Sequence, residues 1–299
     1  MSTRIPFISR VWFPWQLLAV LLALAGSGST AVADTSVWVA SSGNSKVYLG
    51  GTVHLLRPGD YPLPEEFEQA YQDSQRLFFE TDVSSMNDLA VQASMLQQLT
   101  YNDSRSLRSV LDEEAYNALS SYLASVGMPL MMMEKFKPGL VVSTLQILEF
   151  QKMGFTPQGV DVYFSNRAIS DAKVVGELES VQAQIDYIAS MGEGNESEFI
   201  LLSLDDLEEI STSMEDLVTA WRQGDMDTLS SLFVEDMRIE SEELYNSLLL
   251  ERNLNWLPAI EAMFQEDGTE FVLVGAAHLV GRDGLLSLLE DKGYEIRQL

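Results

Sequence analysis

The chain has 299 residues, with 18 Lys and Arg against 45 Asp and Glu, two His and no Cys, for a net charge of −27. A surface this acidic repels nucleic-acid phosphates and anionic lipid heads, which argues against nucleic-acid and membrane-surface partners. Without cysteine there are no disulfides, no Cys zinc sites and no thiolate catalysis.

The chain opens with MSTRIPFISR, carrying Arg4 and Arg10, followed by the uncharged VWFPWQLLAVLLALAG and then by small residues ending at Ala31-Val32-Ala33. A basic segment, a short apolar segment and an A-x-A exit describe a secretory signal peptide over residues 1–33, so the protein is expected to be exported, either periplasmic or secreted. The alternative is an uncleaved anchor, against which Pro14 and the Ala-Val-Ala site both speak. Cleavage after Ala33 removes two Arg and no acid, taking the net charge from −27 to −29. No later apolar run is long enough to span a bilayer, so no stable membrane insertion is expected after cleavage. Residues 34–299 contain no Pro-, Gly- or Ser-rich linker and read as one domain.

Within that domain, VWVAS near residue 37 reads as an edge strand. Strands are then predicted at KVYLG (46–50) and RLFF (76–79), each followed by helix-start chemistry. Residues 85–155 have helical spacing throughout, in SMNDLAVQASMLQQL, SLRSVLDEEAYNALSSYLASVG and LVVSTLQILEFQ, with breaks at Tyr101-Asn102-Asp103 and near Pro129 and Pro138. We read them as a helical insertion. The cluster Met128, Met131, Met132 and Met133 is expected to be core packing, the alternative being an apolar peptide groove. KVVG (173–176) predicts a further strand, residues 202–264 a helical block, EFVLV (270–274) a strand, and YEIRQL a last edge strand. The acidic stretch between Lys173 and Arg222 is a solvated helical face, with no calcium-loop spacing. The predicted fold is α/β: a central mixed, largely parallel β-sheet with flanking helices and a helical insertion.

Each predicted strand ends on chemistry. KVYLG leads to Thr52-Val53-His54, RLFF to Glu80-Thr81-Asp82, KVVG to Glu177-Leu178-Glu179, and EFVLV to Gly275-Ala276-Ala277-His278. Ligands of open α/β sheets bind beyond the carboxyl ends of the strands, so parallel neighbours would bring both histidines and two or more carboxylates to one crevice. Gly51 and Gly275 begin the two Gly-x-x-His stretches, where a missing Cβ permits close backbone approach or a positive φ and carries each histidine over the sheet edge. Imidazole with carboxylate is the donor set of a catalytic divalent-metal site. The alternative for each histidine is a hydrogen-bonded structural residue, and for Asp82 and Glu179 a helix cap or first-turn acid. Glu80 and Glu177 directly follow their strands and are the favoured carboxylates. No H-E-x-x-H, G-x-S-x-G, Walker A or G-x-G-x-x-G pattern is present.

Taken together, YLGGTVHLLRPGDYPLPEEFEQAYQDSQRLFFETD, GVDVYFSNRA, KVVGELES, WRQGD, LLLERNLNW and FVLVGAAHLVGRDGLLSLLEDKGYEI resemble the TraB/GumN family, which includes the Tiki metalloproteases, over nearly all of residues 34–299. The resemblance implies an α/β fold related to erythromycin-esterase and haem-binding ChaN-like proteins. It further implies a metal-dependent peptidase acting on a peptide or protein substrate. His54 and His278 would then be metal ligands or their immediate partners, Glu80 ligand or general base, and Glu177 a further ligand. Arg252 and Asn253 would face the site, the alternative for Arg252 being a helix-surface pair with Glu251. Gly51, Gly275, Asp161 and Asp82 rank behind these. With only two histidines, the metal would be Mn²⁺, Co²⁺ or Zn²⁺ completed by carboxylate, carbonyl or water. Ala277 stands where the family often has glycine. The reading from a different class is a non-catalytic cell-envelope protein that binds a peptide or haem-like ligand.

Overall fold

The computed structural model describes residues 35–299, so the leader segment 1–33 lies outside the described residues. Six strands, β1 (Val37–Ser42), β2 (Ser45–Thr52), β3 (Arg76–Phe79), β4 (Val174–Glu177), β5 (Glu270–Gly275) and β6 (Glu295–Gln298), form one sheet in the order β4-β3-β5-β2-β1-β6. β5 is parallel to both β2 and β3, and β3 to β4, while β1 is antiparallel to β2 and to β6. The sheet is therefore mixed and largely parallel, with helices making the crossovers, as the alternation of strand and helix patterns requires.

Burial follows position in that order. β5 lies between β3 and β2, and Glu270–Val274 are all buried, as a parallel strand covered on both faces must be. β4 ends the sheet, and Val174, Val175 and Glu177 are exposed. The N-terminal run VWVAS, expected at an edge, lies one strand in, because β6 pairs with it from Trp38↔Gln298 to Ser41↔Glu295. Gly43, at φ 61°, and Asn44 form the two-residue turn that joins β1 to β2, with glycine in the first position as a II′ turn demands.

Between β3 and β4 the described chain is helical, including Leu89–Gln98, Glu113–Ser125, Pro138–Lys152 and Val160–Ser170. Buried side chains fall into two clusters. One surrounds the sheet, with Trp38, Phe67, Phe79, Trp221, Trp256 and Phe271 among its members. The other is built from Leu107, Leu119, Leu123, Val141, Leu145, Ile200 and neighbours, where Glu113–Ser125 and Pro138–Lys152 meet the start of the long helix Glu196–Gln223. Of the methionines expected in the core, only Met133 is buried; Met131 and Met132 are 82% and 67% exposed, since their 3-10 turn Leu130–Met132 lies on the surface. No helix among the described residues is long and apolar enough to cross a membrane.

Candidate functional site

The parallel strands β2, β5, β3 and β4 are adjacent, so their carboxyl ends open onto one edge of the sheet. The register Thr52↔Gly275 and Phe79↔Glu177 sets Gly51-x-x-His54, Gly275-x-x-His278 and the residues after Phe79 side by side. A Cβ placed on Gly275 would stand 3.2 Å from Glu80 Oε1, 3.6 Å from His278 Cδ2 and 3.9 Å from His54 Nε2. Both histidines and Glu80 therefore crowd one point. Gly51 packs on the other motif, its missing Cβ 3.2 Å from the Cβ of Ala276. Neither glycine has a positive φ, so each serves close approach and not a left-handed turn.

The two histidine motifs part after their glycines. Ala276–Leu279 curls into a helical turn that buries His278, against the expectation that it would reach out past the sheet. Its ring packs on Trp256 with centroids 4.5 Å apart. Asn253 Nδ2 donates to the carbonyls of His278 (3.2 Å) and Asp283 (2.9 Å), which turns Asn253 Oδ1 toward His278 Nδ1 at 2.7 Å. His278 Nδ1 is thereby the protonated nitrogen, and the bare Nε2 accepts from Arg252 Nη1 at 3.0 Å. Burial, joined by the Arg252 charge and opposed by Glu80, pushes the imidazole down to about 3.

His54 instead stays on an extended segment, its side chain 63% exposed, with Nδ1 3.4 Å from Asp161 Oδ2. Asp161 gets there because Gly159 and Val160 pack directly on the His54 loop. Val160 N donates to the Val53 carbonyl at 3.1 Å, and a Cβ on Gly159 would collide with the carbonyl oxygens of Val53 and His54. The Asp161 charge raises the His54 imidazole to about 9. At neutral pH His278 is neutral and His54 carries a proton.

Glu80 is buried at the centre. Oε1 accepts from the Gly275 N–H at 2.7 Å, and Oε2 accepts from Arg252 Nη2 at 2.6 Å and Gln184 Nε2 at 3.3 Å. Burial pushes this carboxyl up, but the positive neighbours His278 (when charged), Arg252 and His54, with the Gly275 N–H, bring it below its ordinary range. Arg252 is likewise buried, at 8% exposure, and is not a surface partner of Glu251. It reaches Glu179 through Nε (3.2 Å) and Nη2 (2.7 Å), and its guanidinium lies 4.7 Å from the Trp256 ring centroid. The π-helical turn Asn246–Leu250 directly precedes its helix, Glu251–Met263, and the Leu248 carbonyl accepts from Arg252 Nη1.

Two carboxylates lie elsewhere than among these groups. Glu177 is exposed and accepts from the Asp82 N–H at 3.2 Å, while Asp82 caps the 3-10 turn Val83–Asn87 through Ser84 N and Ser85 N. Glu179, a strand-end carboxylate whose alternative from sequence is a helix cap or first-turn acid, is the one that meets Arg252 and also accepts from Trp256 Nε1 at 3.0 Å. Backbone pairing continues past β4, with Leu178 N on Phe79 O and Glu179 N on Glu80 O, which draws Glu179 level with Glu80. Gln184 lies outside every quoted motif, and Trp256 ends LLLERNLNW without being a candidate in its own right.

Each histidine has its Nδ1 beside an oxygen, Asp161 for His54 and Asn253 for His278, which leaves His54 Nε2 near Gly275 and His278 Nε2 4.0 Å from Glu80 Oε1. A divalent ion nevertheless does not fit the arrangement as built. Arg252 nitrogens already hold His278 Nε2 and Glu80 Oε2, and among the described residues no group of three or more His, Asp or Glu is placed to hold a metal.

Comparison with known proteins agrees with the sequence resemblance. The chain is 25% identical to the uncharacterized protein YbaP of Escherichia coli (strain K12), over 83% of this chain and 89% of that one. It is 24% identical to the metalloprotease TIKI2 of Danio rerio, over 83% of this chain but 57% of TIKI2. No solved structure matches it significantly. The sequence profile of the TraB/PrgY/gumN family matches residues 36–298, the sheet and both histidines, Glu80 and Arg252 included, and the chain belongs to that family.

Proposed function

We propose that this protein is an exported hydrolase of peptide bonds, with its site in the crevice beyond β2, β5 and β3. The observation that carries the reading is the convergence of His54, Glu80 and His278 on Gly275, supported by the kinship with a metalloprotease. In this reading, His54 stands at the accessible mouth, oriented by Asp161, and holds the proton that a departing amine needs. Glu80 is a carboxylate at neutral pH whose two oxygens anchor the Gly275 loop and Arg252. The finer part of the proposal is dependence on a divalent ion, Mn²⁺, Co²⁺ or Zn²⁺. No step is assigned to such an ion, because Arg252 stands where it would bind.

The saturation of Glu80 favours a second reading, a binder of peptide or of a haem-like ligand that does not cleave, since both carboxylate oxygens already have donors. Incubating residues 34–299 with a peptide library, with each metal and with chelator, separates the two. Cleavage that chelator stops and that falls at least roughly 100-fold in His54→Ala and Glu80→Gln supports the hydrolase. Retention of peptides or haemin with no cleavage under any metal rejects it in favour of the binder.

A further inference from the structure

The Arg252 guanidinium bridges three groups that a cation would seek: Glu80 at 2.6 Å, Glu179 at 2.7 Å and the bare His278 Nε2 at 3.0 Å. Formally, the buried cluster holds two carboxylates, one guanidinium and one neutral imidazole. The anchoring is uneven. Glu179 takes two nitrogens of the guanidinium and itself receives the Trp256 N–H, whereas Glu80 and His278 take one nitrogen each. Glu80 and His278 also share with His54 the contact point at Gly275, each within 4 Å of it. A dication brought to Glu80 and His278 would lie within a few ångströms of a permanent positive charge, where a buried site screens the Coulomb repulsion poorly. With the guanidinium gone, the same place would present two uncompensated carboxylates and an unprotonated imidazole nitrogen.

We infer that Arg252 is the resident cation of this site and competes directly with a divalent metal ion for Glu80 and His278. The guanidinium holds those two side chains in the absence of metal and sets the threshold that an ion must overcome, with Glu179 as the berth that keeps Arg252 in the pocket when it yields. This goes beyond the hydrolase proposal, bearing on how the site admits an ion and not on what it cleaves.

The test is Mn²⁺ binding, followed by electron paramagnetic resonance on residues 34–299, which needs no substrate. Wild type should bind weakly, and Arg252→Ala should bind one Mn²⁺ at least about tenfold tighter, the minimum expected for removing a like charge in contact. Adding Glu80→Gln should abolish the gain. Millimolar guanidinium, far below denaturing levels, should re-enter the Arg252→Ala cavity and weaken Mn²⁺ binding again. Where Arg252→Ala fails to fold, Arg252→Gln, which keeps a hydrogen-bond donor but removes the charge, should still bind tighter than wild type. Equal or weaker binding by the variant that folds overturns the inference. Tighter binding without cleavage of any peptide leaves it standing and removes the hydrolase. Metal-dependent cleavage by a wild type that binds Mn²⁺ as tightly as the variants does the reverse.

Discussion

The two histidines share a local sequence and have opposite electrostatic fates. His278 is buried against Trp256 with Arg252 on its free nitrogen, and His54 is open to solvent with Asp161 behind it. Since the chain has no other histidine, imidazole NMR should show two well-separated titrations: His278 low, toward about 3, and His54 high, toward about 9. Asp161→Asn should return His54 toward its ordinary value near 6.5 and leave His278 in place. The stability consequences run in opposite directions. The raised His54 contributes fully below about pH 6.5 and loses its contribution as pH rises through about 9, while the depressed His278 contributes above about 6.5 and loses its contribution as pH falls toward about 3. Both are present together near pH 6.5, and superimposed titrations in the NMR experiment would refute the assignment. Glu80, His54 and His278 were legible because glycine and histidine at a strand end are a local pattern. Glu179 was not, because its partner Arg252 is 73 positions away and only the backbone pairing beyond β4 decides that it, and not Glu177, draws level with Glu80.

At the scale of elements, the His54 site depends on how the helix Val160–Ser170 seats against the loop after β2. Gly159, a buried helix N-cap, has no room for a Cβ, whereas Gly59, on an exposed 3-10 turn, has no atom within 4 Å of one. Gly159→Ala should therefore lower stability by about 1–3 kcal/mol, as overpacking does, and separate Asp161 from His54. Gly59→Ala serves as the control and should leave the urea midpoint unchanged. An unshifted midpoint and an unchanged His54 titration in Gly159→Ala would show that the seating is not what positions Asp161. Strands and crossovers were readable from runs such as RLFF and EFVLV, each of which became a strand of nearly the same extent. The inward placement of β1 and the surface placement of Met131 and Met132 were not, for different reasons. Sheet order is set by long-range pairing with β6, and a methionine run has the same composition whether it faces a core or water. The helical turn that buries His278 was equally hidden, since AAHL and TVHL differ only in the helix preference of their first and second residues, alanine against threonine and valine.

At the scale of the whole molecule, family membership covers residues 36–298, and the apolar interior around the sheet draws on residues from Val37 to Leu299. β2 and β3 touch only through β5, which stands between them and comes after residue 269. A chain cut after Gly268 keeps most of the helices but should show no cooperative urea transition monitored by tryptophan fluorescence, because the sheet is left in two unjoined parts. A sharp transition of native size in that fragment would contradict this. The central position of β5 also has a meaning in time. Gly51, His54 and Glu80 are made early, while Arg252, Asn253 and His278 come from the last stretch of the chain. Until the ribosome has passed β5, each half of the crevice exists without the other. Glu80, Arg252 and both histidines can meet only once nearly the whole chain has been made, so their cluster belongs to the completed chain and to no single segment of it.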